Sequence, residues 1–205
     1  MSLRLSPVLL IFVGSLLVAT PATAQFNVGV GTGANVCIPN GDADCSNIFP
    51  FGQVSALMEY RFGGLVGWSL EYDYGAYLLT GTGAEGLSQR STHLLTVLRG
   101  YSEQGPWDVY CGLGMGFGSH RIMDTEAQKE LTSFSTLWAA VKLSLGAVRP
   151  WDLADGLHWG VRADLVVYLS GEACVVLGGA QDCRDISETT VAGQLQLALD
   201  VRYVF

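Results

Sequence analysis

The chain has 205 residues, a formal charge of −8, a charged fraction of 15% and a positive mean hydropathy of +0.32. That length allows one domain with a real core, but the charge is sparse for a water-facing surface, where about 25% of residues are charged. Lysine occurs only at Lys129 and Lys142, and the acidic balance excludes nucleic acid as a partner, because a phosphate-binding surface needs clustered Lys or Arg.

Residues 1–24 read as an export signal. Arg4 gives the positive start, Val8 to Ala19 is a short apolar run, and Ala22-Thr23-Ala24 is a small-x-small cleavage site. The mature domain is then residues 25–205. A membrane anchor is the other reading, but the run is short for a span and leads into a processing site. No later stretch of 18 apolar residues offers a helical span.

From there period-two alternation recurs in runs of roughly ten residues, with little helical periodicity. The first run covers 26–36 and places Gly29, Gly31 and Gly33 on one side. A polar stretch from Cys37 to Phe51 follows. The second run, 52–62, sets Val54, Ala56, Met58, Tyr60 and Phe62 against Gln53, Ser55, Glu59 and Arg61, with Leu57 out of phase. After a tight turn at Gly63 to Leu65, the third run, 66–77, sets Val66, Trp68, Leu70, Tyr72 and Tyr74 against Gly67, Ser69, Glu71 and Asp73.

Leu78 to Arg90 is the next polar stretch. The fourth run, 91–101, is ambiguous in phase, though Arg99 argues for an inward side shared with His93, Leu95, Val97 and Tyr101. A turn at Ser102 to Pro106 leads to the fifth run, 107–118, where Gly112, Gly114, Gly116 and Gly118 share a side. Ser119 to Ser133 is polar, and the sixth run covers 134–147. Arg149 to Gly156 connects it to the seventh, 157–169, which sets Trp159, Val161, Ala163, Leu165 and Val167 against His158, Gly160, Arg162 and Asp164. Ser170 to Thr189 is the last polar stretch, and the eighth run is 190–205.

Four long polar stretches alternating with three short turns are what eight antiparallel strands need when both ends lie on the short-turn side. Alternation alone does not say which face is outside, since a soluble barrel shows the same pattern turned inside out. Three features favour the apolar face outward. The polar face carries Gly, Ser and a mixed set of charges that can pair in a narrow lumen: Glu59, Glu71, Asp73, Asp108, Asp164 and Asp200 with Arg61, Lys142, Arg162 and Arg202. The glycine ladders of the first and fifth runs leave room for long side chains from other strands. Aromatics gather near the short turns (Tyr60, Phe62, Trp68, Tyr101, Trp107, Trp151, Trp159, Tyr203, Phe205) and again near the long stretches (Tyr74, Tyr77, Phe117, Phe134, Tyr168), as interfacial girdles require.

Export permits disulfides. Cys37 and Cys45 share one polar stretch and Cys174 and Cys183 another, so within-loop pairs are expected. Closure of a barrel sets the two loops side by side, which leaves cross-loop pairing open. Cys111 stands alone in a strand, as a small apolar residue.

The final run alternates Leu195, Leu197, Leu199, Val201, Tyr203 and Phe205 with Gln194, Gln196, Ala198, Asp200 and Arg202. This resembles the C-terminal assembly signal of bacterial outer-membrane proteins, carried here by Leu197, Leu199, Val201, Tyr203 and Phe205. With the export signal and eight runs, residues 26–205 resemble, in pattern, the small outer-membrane barrels of the OmpA and OmpX type. The resemblance implies an all-β, eight-stranded antiparallel up-and-down transmembrane β-barrel with short periplasmic turns and long extracellular loops. It also implies residence in the outer membrane, contact with its lipid and lipopolysaccharide, and insertion by the barrel-assembly machinery.

Chemistry is sparse. The histidines are His93, His120 and His158. Ser119, His120, Asp124 and Glu126 make a conceivable Ser/His/acid set for a lipid-modifying enzyme, but neighbours in an extended chain point apart. No metal spacing or cofactor motif appears, and Gly29 to Gly33 opens no helix, so it is no phosphate loop. The loops are acidic on balance and would repel anionic lipopolysaccharide unless cations bridge them. The expectation is a non-enzymatic surface-interaction barrel with disulfide-clipped loops and a loop ligand that the residues do not name. A narrow pore, a lipid-modifying enzyme and a secreted soluble barrel are the alternatives.

Overall fold

A computed structural model describes residues 24–39, 45, 48–79, 87–124, 129–170, 172–177, 180–185 and 191–205. The export signal before Ala24 lies outside the described residues. Ten strands follow in order: β1 (Gln25–Pro39), β2 (Ile48–Phe62), β3 (Val66–Leu79), β4 (Leu87–Gln104), β5 (Trp107–Asp124), β6 (Lys129–Pro150), β7 (Leu157–Ser170), β8 (Glu172–Leu177), β9 (Ala180–Asp185) and β10 (Val191–Val204). Eight of them close in the order β1-β10-β7-β6-β5-β4-β3-β2, all neighbours antiparallel, while β8 and β9 form a separate hairpin. The closing pair sets Asn27 opposite Val204 and Gly33 opposite Ala198, and the Phe205 amide donates to the Phe26 carbonyl at 2.9 Å. Closure leaves no ladder edge facing lipid, which offers backbone groups no hydrogen bonds.

The three tight connections and both strand ends of the closing pair lie at one end of the barrel. Gly63 and Gly64 turn with φ of 63° and 77°, Gly105 with 64° and Gly156 with 75°, a left-handed geometry that favours glycine. At the other end the ladders run beyond the alternating pattern: β4 pairs β5 as far as Leu87 opposite Asp124, and β5 pairs β6 as far as Asp124 opposite Lys129. The expected loops are therefore shorter than the polar stretches, and the last contains the β8–β9 hairpin. The physical reason is environmental. Alternation marks strands only where one face meets an apolar phase, and a ladder can continue where both faces are polar.

The side chains sort as the pattern requires. Trp68, Tyr72, Leu98, Leu113, Leu145, Leu197 and Leu199 are exposed, while Glu59, Glu71, Asp73, Arg99, Lys142 and Asp164 are buried. β4 takes the phase that Arg99 indicates, with His93, Leu95, Val97 and Tyr101 inward and Leu94 and Leu98 outward. Leu57, out of phase in sequence, is an inward residue. Part of the aromatic expectation is corrected. Tyr77, Tyr101 and Tyr168 are buried in the lumen rather than set in the outer girdles, because they share the phase of Asp73, Arg99 and Asp164 on their own strands.

Candidate functional site

The lumen nearer the short turns is occupied by ions. Glu59 and Glu71 are on β2 and β3, Arg99 on β4, Lys142 on β6, Arg162 and Asp164 on β7, and Asp200 and Arg202 on β10. Each points inward because it sits on the polar phase of its strand. Glu71 receives Arg99, Lys142 at 2.7 Å and Arg162 at 3.5 Å. Lys142 also reaches Asp73 and Asp164, each at 2.9 Å. Arg162 reaches Asp164 at 2.8 Å and donates to the Ser55 hydroxyl at 2.8 Å. Glu59 accepts from Arg99 at 2.7 Å and from the Tyr101 hydroxyl at 2.6 Å, with Arg202 at 3.5 Å. Arg202 pairs with Asp200 at 3.0 Å and donates to the Tyr110 hydroxyl at 2.9 Å.

All ten charges expected in the lumen are inward or at its mouth. Arg61 and Asp108 pair at 2.9 Å nearest the turns, where Arg61 also donates to the Gly64 carbonyl and its guanidinium lies 3.9 Å from the centre of the Tyr101 ring. Charges removed from water need mutual pairing and further hydrogen bonds, and this set has both. Arg99 and Lys142 have no exposed surface. A continuous water-filled channel through the barrel would leave them wet.

Glycine makes room for these groups. A side chain at Gly31 would collide with the Asp200 carboxylate and meet the Ser55 hydroxyl at 2.6 Å. One at Gly29 would meet the Arg202 stem at 2.9 Å, and one at Gly112 the Arg99 stem at 3.0 Å. The bare walls of β1 and β5 are where the long side chains of the network lie.

Toward the loop end the lumen turns neutral. The Gln53 amide donates to the Gln196 carbonyl at 3.0 Å, and the Gln194 amide donates to the Tyr168 hydroxyl at 2.8 Å. Tyr168 also meets His93 Nε2 at 2.8 Å. Leu95, Val97, Ala140 and Val166 pack with Tyr168, and Cys37 rests against this cluster.

At the rim above it Cys37 is disulfide-bonded to Cys45, so this pair is formed within one loop. The β8–β9 register sets Cys174 directly opposite Cys183, although their side chains lie outside the described residues. Cys111 is a free, exposed cysteine on the outer wall. Ser119 and His120 are consecutive in β5, opposite Thr92 and Ser91 of β4. The side chains of His120 and Asp124 lie outside the described residues, as does Glu126. Of the closing-strand residues, Leu197, Leu199, Val201, Tyr203 and Phe205 all face outward. Phe205 sits against Tyr203 at 4.8 Å and Phe26 at 6.0 Å between ring centres.

Arg99 is a network member absent from the ten charges expected to pair in the lumen. The signal for it was present in the phase argument for β4, but that strand's inward face also holds Leu95 and Val97, which hid the alternation. Tyr101 and Tyr110 were missed as network hydroxyls because an inward tyrosine and a girdle tyrosine look alike in sequence.

No protein-family model matches the chain, and no curated protein matches it in sequence. Its fold does match solved structures. Neisserial surface protein A superposes with a TM-score of 0.56 at 9% identity, over 89% of this chain and 97% of that one. A major outer membrane protein from Thermus thermophilus gives 0.51 at 17% identity, over 89% and 100%. The N-terminal β-barrel domain of Pseudomonas aeruginosa OprF gives 0.50 at 10% identity, over 90% and 98%. The closed eight-stranded barrel of this chain is thus the fold of the small outer-membrane β-barrels.

Proposed function

We propose that this protein is an exported, non-enzymatic barrel of the bacterial outer membrane, anchored by its wall and presenting its disulfide-clipped loops to the outside for surface contacts. The observation that carries the reading is the pairing of an apolar exterior with a lumen of buried, mutually paired ions. In water that arrangement would be inside out, whereas in a bilayer both faces meet what they need. The outward row from Leu197 to Phe205 serves as the assembly signal read by the barrel-assembly machinery. The short turns face the periplasm, and the long-loop rim faces lipopolysaccharide.

The lumen seals the barrel rather than conducting. Eight strands enclose an interior that side chains just fill, and here the glycine walls are occupied by Arg and Asp side chains rather than left as free space. Reconstitution into planar bilayers tests this. The expected result is no steady conductance from inserted, folded protein, and stable unitary currents would replace the seal with a pore.

A further inference from the structure

The outer wall carries one feature that a plain lipid-facing belt does not need. Across β1, β10, β7 and β6 the register aligns Thr32, Leu199, Val161 and Ala147 in one row. The next row toward the loops aligns Ala34, Leu197, Ala163 and Leu145. Small residues at Thr32, Ala147 and Ala163 floor a groove of about 650 Å³, and Leu145, Leu197 and Leu199 wall it. That volume is within the range of about 300–1,000 Å³ occupied by ligand sites. The three leucines are among the exposed side chains of the barrel, so the groove is open to the bilayer.

One step further toward the short turns, the row is Arg149 opposite Trp159. Arg149 lies 5.5 Å from the Trp107 ring centre and 6.0 Å from that of Trp159, and the two indoles pack edge to face at 5.2 Å. Its Nε is shielded from solvent and has no hydrogen-bond partner among the described residues. A cation set beside two packed indoles, one row beyond an apolar groove, matches a phosphate joined to an acyl chain. Arg149 also lines a separate cleft of about 350 Å³ at the short-turn mouth, together with Glu103, Asp108, Asp152 and His158; Asp108 is engaged by Arg61, and Glu103 and Asp152 suit an ammonium. From the wall to the short-turn rim the order is thus apolar groove, cation, then a cleft with anions.

We infer that this face binds one phospholipid with an amine-bearing, zwitterionic headgroup in the leaflet at the short-turn end. Its acyl chain fills the groove, its phosphate meets Arg149, and its ammonium faces Glu103 and Asp152. The assignment rests on the membrane reading of the barrel. Lipid that left this groove unfilled would forfeit dispersion contacts along its lining, so a chain that fits it is favoured over the average annular lipid.

The test is native mass spectrometry of detergent-purified protein equilibrated with dioleoylphosphatidylethanolamine or dioleoylphosphatidylglycerol. Wild type is expected to retain one ethanolamine lipid in preference to the glycerol lipid. Arg149→Gln is expected to lower that retention about tenfold, the loss of one charge-assisted bond. Ala163→Leu, which fills the groove, is expected to lower retention of both lipids. Leu98→Ala, on β4 across the barrel from β10 and β7, is expected to change neither. Equal retention by wild type, Arg149→Gln and Ala163→Leu would overturn the site, as would a preference for the glycerol lipid. Gel mobility before and after boiling is read for every variant. A wild type without heat-shifted mobility fails the membrane reading itself, whereas folded protein without selective retention fails only the lipid site.

Discussion

Lys142 is one of two lysines in the chain, and it sits where three carboxylates converge: Glu71, Asp73 and Asp164. Lys142→Met keeps much of the side-chain volume and leaves those charges short of a cation. Breaking a buried pair from one side costs about 3–5 kcal/mol, so the variant should unfold at clearly lower urea concentration in lipid vesicles, read by tryptophan fluorescence. A glycine pair makes the complementary prediction. Gly31→Val drives a side chain into Asp200 and Ser55 and should cost about 1–3 kcal/mol by overpacking. Gly100→Ala meets nothing within 4 Å and should be neutral or slightly stabilising in the same assay. At this scale the charges of the lumen were legible because each strand shows its phase. Which charges meet was not, since Glu71 and Lys142 come together only through closure of the sheet.

The strands were legible wherever one face meets lipid, and their extensions at the loop end were not. Leu87 to Arg90 and Ser119 to Asp124 read as loop, yet they are ladder, held by cross-strand hydrogen bonds that leave no mark on the pattern of side chains. The Cys37–Cys45 bridge clips the β1–β2 connection with a sequence separation of 8. On the chain-entropy account, replacing both cysteines by serine should remove about 2–3 kcal/mol, measurable as a shift in the same urea midpoint. The closing strand makes a kinetic prediction instead. Phe205 is 69% exposed and its ring sits against Phe26 and Tyr203 at the rim, so Phe205→Ala should change the stability of inserted barrels by less than about 1.5 kcal/mol. Its rate of insertion by the assembly machinery should fall, followed as heat-shifted product over time.

For the whole molecule, the central claim is that the barrel is turned outward to lipid and sealed inward by ions. The eight-stranded closure was legible from the count of runs and the alternation of connection lengths, because an up-and-down barrel is the simplest way to pair every strand. The far half of the lumen was less so. Its layer of Gln53, Gln196, Gln194, Tyr168 and His93 is neutral, and neutral polar residues alternate with apolar ones in a soluble barrel just as they do here. The most direct measurement is gel mobility of detergent-extracted protein with and without boiling, alongside fractionation of the cell envelope. A lipid-facing barrel is expected to be confined to the membrane fraction and to give an unboiled band that migrates apart from the boiled one. Recovery of folded protein from a membrane-free, detergent-free fraction, with one mobility before and after boiling, would contradict it.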